Sequence, residues 1–301
     1  MVLKNNLLMK KILIAFVGLF TLTISAQAQK KSGAIQFETT MDPAALASAN
    51  GIQINDEMRA RMPKVMKSGF ELLFTATNAS YMPVIENEDS NGSGGNGGGM
   101  GRMMMRFGGA GGAKEYYYSF ADQKLVEVFD MRDTTYIMPS KLTIEAPTPM
   151  IGGNTNGAVQ FLPGPPTMEV VKTDETKKII GFNCNKVIIK FIRKAKVLDM
   201  DKDIIDETTV WYTNDLGFNF SPNPSMWTEG TVLALENKGS NTVAKSIEYR
   251  GVSTKDVTAP KKALPITAEE YQKKMEALMS RMRAAGNRGG NTGQARSIII
   301  N

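Results

Sequence analysis

Apolar and polar residues alternate along much of this chain, and the alternation predicts strands before anything else. Gly33-Ala34-Ile35-Gln36-Phe37-Glu38-Thr39-Thr40 has the period of two that marks a half-buried strand. Asp42-Pro43 then predicts an N-cap followed by proline at the first helical position, opening a short helix through Ala49. Met58, Met62, Val65 and Met66 fall at helical spacing, with Pro63 placed to interrupt or kink that segment. Phe70 to Thr77 and Tyr81 to Ile85 read as further strands.

Between Gly92 and Gly112 the periodicity stops, and 11 of 21 residues are glycine. Such a segment buries too little surface to offset the entropy of ordering it, so 90–113 reads as a disordered insertion between two strands. The strand pattern resumes at Lys114 to Ala121, Lys124 to Asp130 and Thr134 to Pro139. A connection rich in Gly, Pro and Asn runs from Pro147 to Pro166. A second series follows: Thr167 to Thr173, Lys177 to Phe182, Lys186 to Ile192, Glu207 to Thr213, Thr231 to Glu236 and Val243 to Arg250. Short strands at spacings near ten residues, with few helices among them, predict one large antiparallel sheet. The last element is a helix over 267–285. Thr267 and Glu270 form a capping box after Pro265, and Tyr271, Met275, Leu278 and Met282 repeat at helical spacing. Residues 286–301 read as a disordered tail.

The N-terminus predicts export. Lys10 and Lys11 precede an apolar run from Ile12 to Ile24, and Ala26-Gln27-Ala28 supplies a small-x-small cleavage site. The run falls short of the roughly 20 residues that span a bilayer. Cleavage after Ala28 gives a signal peptide over 1–28, a β domain over 29–266 and no remaining transmembrane span. No cysteine lies near the cut, so lipidation there is excluded, and the expected location is the periplasm, the outer membrane's surface or the exterior. Removing the segment takes three lysines and no acid, so the formal charge falls from +6 to +3. Mild, scattered positive charge on an exported chain argues against a nucleic-acid partner.

Composition narrows the chemistry further. The chain has no histidine and a single cysteine, Cys184. That excludes Ser-His and Cys-His nucleophile systems, zinc sites built from His or Cys pairs, and any intramolecular disulfide. Asp199, Asp201 and Asp203 suggest a calcium loop, but an EF-hand needs glycine at its sixth position and glutamate at its twelfth, where this chain has Ile204 and Val210. A charged turn is the simpler reading. The glycine stretch ends Ala113-Lys114-Glu115 rather than in the Gly-Lys-Ser/Thr of a phosphate loop. Met100, Met103, Met104 and Met105 offer soft thioether sulfur, yet with no His or Cys beside them they suit flexible apolar contact better than a metal. Cys184 reads as a structural thiol, and Trp211, Tyr212 and Trp227 as sheet packing. No carboxylate pair has the context of an acid and a base in one cleft, so the chain reads as non-enzymatic and without a cofactor.

Thr176-Lys177-Lys178-Ile179-Ile180-Gly181-Phe182-Asn183-Cys184-Asn185-Lys186-Val187, followed by Trp211-Tyr212-Thr213 and by Gly230-Thr231-Val232-Leu233-Ala234-Leu235-Glu236, resembles the GLPGLI-type families of exported Bacteroidetes proteins. The literal Gly-Leu-Pro-Gly-Leu-Ile string is absent, which makes a related domain of unknown function the better match. The resemblance covers about residues 167–250. It implies kinship with the lipoprotein carriers LolA and LolB, hence a curved antiparallel sheet (a half-open barrel) with helices over one face, and it implies no catalytic residues. On that fold the segments 42–66 and 267–285 are the available covers. A concave apolar face then suits a lipid or other hydrophobic ligand, lined by Tyr271, Met275, Leu278, Met282 and Trp211. The alternative is a structural envelope protein that binds another protein.

Overall fold

The computed structural model describes residues 32–49, 54–84, 114–131, 133–146, 159–197 and 200–289. Residues 1–31, over which a signal peptide is expected, the Gly/Met-rich insertion with its methionine cluster, Asp199 and the 290–301 tail lie outside the described residues.

Thirteen strands form one open sheet. Its first half is a meander of β1 (Gly33–Met41), β2 (Met66–Phe74), β3 (Asn78–Pro83), β4 (Glu115–Ser119), β5 (Lys124–Met131) and β6 (Thr134–Ser140). Its second half runs from β7 (Val159–Phe161) and β8 (Thr167–Ile179) through β9 (Phe182–Val197), β10 (Met200–Thr213) and β11 (Thr231–Asn237) to β12 (Ser240–Tyr249). The two halves join where β1 pairs with β12, and β13 (Leu264–Pro265) adds to the outer edge of β6 as the sheet's parallel pair. The fold is mainly β, a large open antiparallel sheet with few helices, as the alternation predicts.

The period of two sorts side chains onto faces. Across the first meander, pairing aligns Ile35 with Leu72, Phe37 with Phe70, Leu72 with Tyr81, Tyr81 with Tyr116 and Tyr118 with Leu125. These residues line one aromatic face. On the opposite face Ala34 and Leu73 are covered by Val257 of a 3-10 turn (Thr254–Val257), where the Ser80 hydroxyl donates to the Asp256 carbonyl at 2.6 Å.

What covers the aromatic face departs from expectation. The connection between β10 and β11, residues 214–230, folds onto it in place of the helices. Phe220 is fully buried against Phe37, Tyr81 and Tyr118, with ring centroids 5.7, 5.3 and 5.5 Å away. Tyr118 donates its hydroxyl to the Ser221 carbonyl at 3.0 Å. Farther along, Met226 and Trp227 cap Val187, Ile189, Phe191 and Val210, and Thr143 and Glu145 donate backbone bonds to Pro224 and Ser225. The apolar residues of this segment follow neither a helical nor a strand period, so periodicity could not reveal it.

The helices sit at the margins. In α1 (Pro43–Ala49) the Asp42 carboxylate accepts from the amides of Ala44 and Ala45 at 2.9 and 3.0 Å, the expected cap. The helix α2 (Asp56–Arg61) ends before Pro63, and Met66 opens β2 instead of extending a helix. The strands expected at 167–173 and 177–182 form a single strand, β8, through Ile179, with a bulge between Lys172 and Thr176; the hairpin that follows turns through Ile180 and Gly181. Both turn residues have positive φ, +42° and +93°, the twist a two-residue hairpin needs and one that only the glycine adopts without strain.

Candidate functional site: the junction of the C-terminal helix and the sheet

The C-terminal helix α3 (Ala268–Gly289) is positioned by local chemistry. Leu264 and Pro265 pair with Tyr136 and Ile137 of β6, and the Ile266 amide donates to the Ile137 carbonyl at 3.0 Å. The chain then turns into the helix through the predicted capping box. Thr267 accepts from the Glu270 amide at 3.2 Å, and Glu270 accepts from the Thr267 amide at 3.0 Å. Those bonds, the backbone one foremost, hold the Glu270 carboxyl below the usual glutamate range.

One turn in, Tyr271 meets Phe129 edge to face, with centroids 4.9 Å apart. Buried Phe129, Met138 and Ile266, with Met131, Tyr136 and Tyr271 against them, form a separate apolar cluster on the aromatic face near the β6 edge. Met275 and Leu278 lie on the same stripe, half-buried, and belong to none of the buried clusters among the described residues. Met282 lies on α3, its side chain outside the description. Trp211 is elsewhere. It packs in the main cluster with Cys184 and Ala234, and the ammonium groups of Lys177 and Lys186 stand 5.3 and 5.8 Å from its ring centroid. The structure therefore brings Tyr271, Met275 and Leu278 onto one stripe and leaves Trp211 out of it.

Sequence reading missed two polar residues here. Glu127 lies two residues from both Leu125 and Phe129 on β5 and so shares their face, its carboxylate pointing onto the aromatic face beside its cross-strand partners Tyr116 and Met138. It accepts from the Lys114 ammonium at 2.7 Å and from the Ser140 hydroxyl at 3.0 Å. The same ammonium lies 5.2 Å from the Tyr271 ring centroid and 5.9 Å from that of Phe129. Burial, and next the Glu127 charge, push the Tyr116 phenol up, which keeps it neutral. The available signal was a charged residue at an inward position of an apolar strand.

Two further titratable groups are shifted by their surroundings. Burial raises the Cys184 thiol to about 11, so it stays protonated at neutral pH. Glu229 is held low chiefly by Lys172, 2.7 Å away, an ion pair that ties the 214–230 segment to β8. Among the described residues no three His, Cys, Asp or Glu side chains gather as a metal-ligating group, and no helix is long and apolar enough to cross a membrane.

No family model and no curated protein matches this chain. Among solved structures it is similar to PNGF-II in two crystal forms, C2 and P21, at 14% and 13% identity with TM-scores of 0.44 and 0.43. Each comparison covers 81% of this chain and 32% or 33% of PNGF-II, so the chain spans about a third of that protein's length. A likeness of that extent carries no functional information.

Proposed function

We propose that this is a non-enzymatic, exported cell-envelope protein that binds the apolar chain of a lipid or similar ligand where α3 leaves the sheet. The observation that supports this is the α3 stripe. Tyr271 docks on Phe129, whereas Met275 and Leu278 continue beyond that contact, half-buried and outside the packed clusters. An apolar stripe extending past its own core favours an apolar occupant. The resemblance to GLPGLI-type exported proteins and the Ala26-Gln27-Ala28 site support the cellular setting.

The test is saturable binding of a neutral fluorescent fatty-acid ester to protein purified from a cell envelope. Met275→Glu with Leu278→Glu should weaken binding by about tenfold or more, since each methylene kept in water forfeits roughly 0.8 kcal/mol. The melting temperature should barely move. Absence of saturable binding by the unsubstituted protein would refute the reading.

One observation favours a protein partner instead. At the far edge of the sheet, Phe161, Met168 and Val170 are 42, 49 and 40% exposed along β7 and β8. Pro163, Pro165 and Pro166 on one side and the β8 bulge on the other confine the pairing-competent stretch to about Thr167–Lys172. Cross-linking through this stretch to an envelope protein, without copurified lipid, would support that reading.

A further inference from the structure

Phe129, Tyr271 and the Glu127 carboxylate surround one ammonium group, and that group belongs to the chain itself. An aromatic ring attracts a cation through its negative face, and a desolvated carboxylate adds full charge, so this combination selects ammonium groups over neutral or anionic ones. Two features keep the arrangement from being an inert core contact. The Lys114 side chain retains 25% of its exposure and Glu127 only 12%, so the cation approaches from solvent while its counter-ion sits deep. The oxygen of Glu127 that faces away from Lys114 is fixed by Ser140, which aims the other at the ammonium.

We propose that this cage is a binding site for the alkylammonium head of a lipid-like ligand, and that Lys114 fills it as an intrachain competitor. The inference rests on the apolar-chain reading above, because the two sites share Tyr271. From Tyr271 the stripe continues through Met275 to Leu278, about 10 Å along the axis at the helical rise. A ligand with its cationic head between Glu127 and Tyr271 therefore lays its chain along Met275 and Leu278. Such a ligand displaces Lys114 from Glu127 and frees its ammonium to face solvent or the ligand's own anionic group.

The experiment compares single-chain amphiphiles below their micellar concentrations: dodecyltrimethylammonium, neutral dodecyl maltoside and dodecyl sulfate. Calorimetry is run on the native protein, on Lys114→Ala and on Lys114→Met, which keeps most of the lysine stem in place. Removing the tethered competitor should tighten dodecyltrimethylammonium binding by about tenfold over the native protein, since a tethered group competes at roughly millimolar effective concentration. In either Lys114 variant the cation should outbind the maltoside, and adding Glu127→Gln should abolish that preference while leaving maltoside binding unchanged. Equal binding of cation and maltoside to a folded Lys114 variant would overturn the cage and leave the apolar-chain site standing. Binding of none of the three would overturn both.

Discussion

Truncating Phe220 to alanine tests whether the 214–230 segment is an integral part of the core. The side chain is fully buried and touches three aromatic rings from β1, β3 and β4. Returning a phenylalanine side chain to water costs about 2 kcal/mol by area transfer, and the void among rigid rings adds a similar amount. The backbone bonds of Phe220 to Gly230 and Val232 survive the change, so the loss is one of packing. A total near 4 kcal/mol is a large fraction of the 5–15 kcal/mol that ordinarily separates folded from unfolded states. For a domain of this size it corresponds to roughly 8–16 °C in melting temperature. Urea unfolding followed by tryptophan fluorescence, with Trp227 in the same segment, should show a lower midpoint at an unchanged slope. Met168→Ala on the exposed edge, expected within about 0.5 kcal/mol of the native protein, is the control. A Phe220→Ala loss below about 1 kcal/mol would show that the segment lies loosely over a core that does not need it.

Two further outcomes follow from the titrating and capping groups. Native Cys184 should resist iodoacetamide at about pH 8 while the urea-unfolded chain is alkylated. Because its folded value lies above the ordinary 9.0, the folded form holds the proton longer, so its contribution to stability is complete below pH 9.0 and declines as pH rises toward about 11. Thr267→Ala should weaken α3 by about 1 kcal/mol, read as roughly fivefold faster amide exchange over its first turns with the sheet core unaffected. Glu270 is depressed in the folded state, so its share of the cap is present above the ordinary value of 4.5 and lost as pH falls through the lowered one; unchanged exchange on acidification would count against that bond.

The elements that carry their own period were legible before folding. β1 alternates cleanly, β5 and β9 stand out as runs rich in β-branched and apolar residues, Asp42-Pro43 announces α1, and Thr267 with Glu270 announces α3. Competing local signals account for the misses. The methionine spacing through 58–66 suggests a helix, but Pro63 lacks the amide donor that a continuous helix requires there, and Met66 is claimed by pairing with β1. The charge-rich middle of β8 hides a continuous strand because a bulge breaks its alternation. The cage was out of reach for a different reason. Lys114 immediately precedes β4 and Glu127 lies on the neighbouring β5, and Tyr271 joins them only because β13 docks on β6 more than a hundred residues later. Such proximity is a property of pairing, which no local pattern encodes.

The β1–β12 seam constrains the order in which this chain acquires structure. Its partners lie about 200 residues apart, so β1 has β2 on one side early and waits for nearly the whole sequence on the other. Closing so long a loop is entropically costly and is rewarded only late, which places the protein among slow folders of high contact order. Until then the meander of β1–β6 and the hairpins of β8–β12 each present an unpaired edge to the surroundings. For a chain exported as proposed, the delay is useful: a polypeptide threading through a membrane cannot complete its sheet before its final strands have emerged.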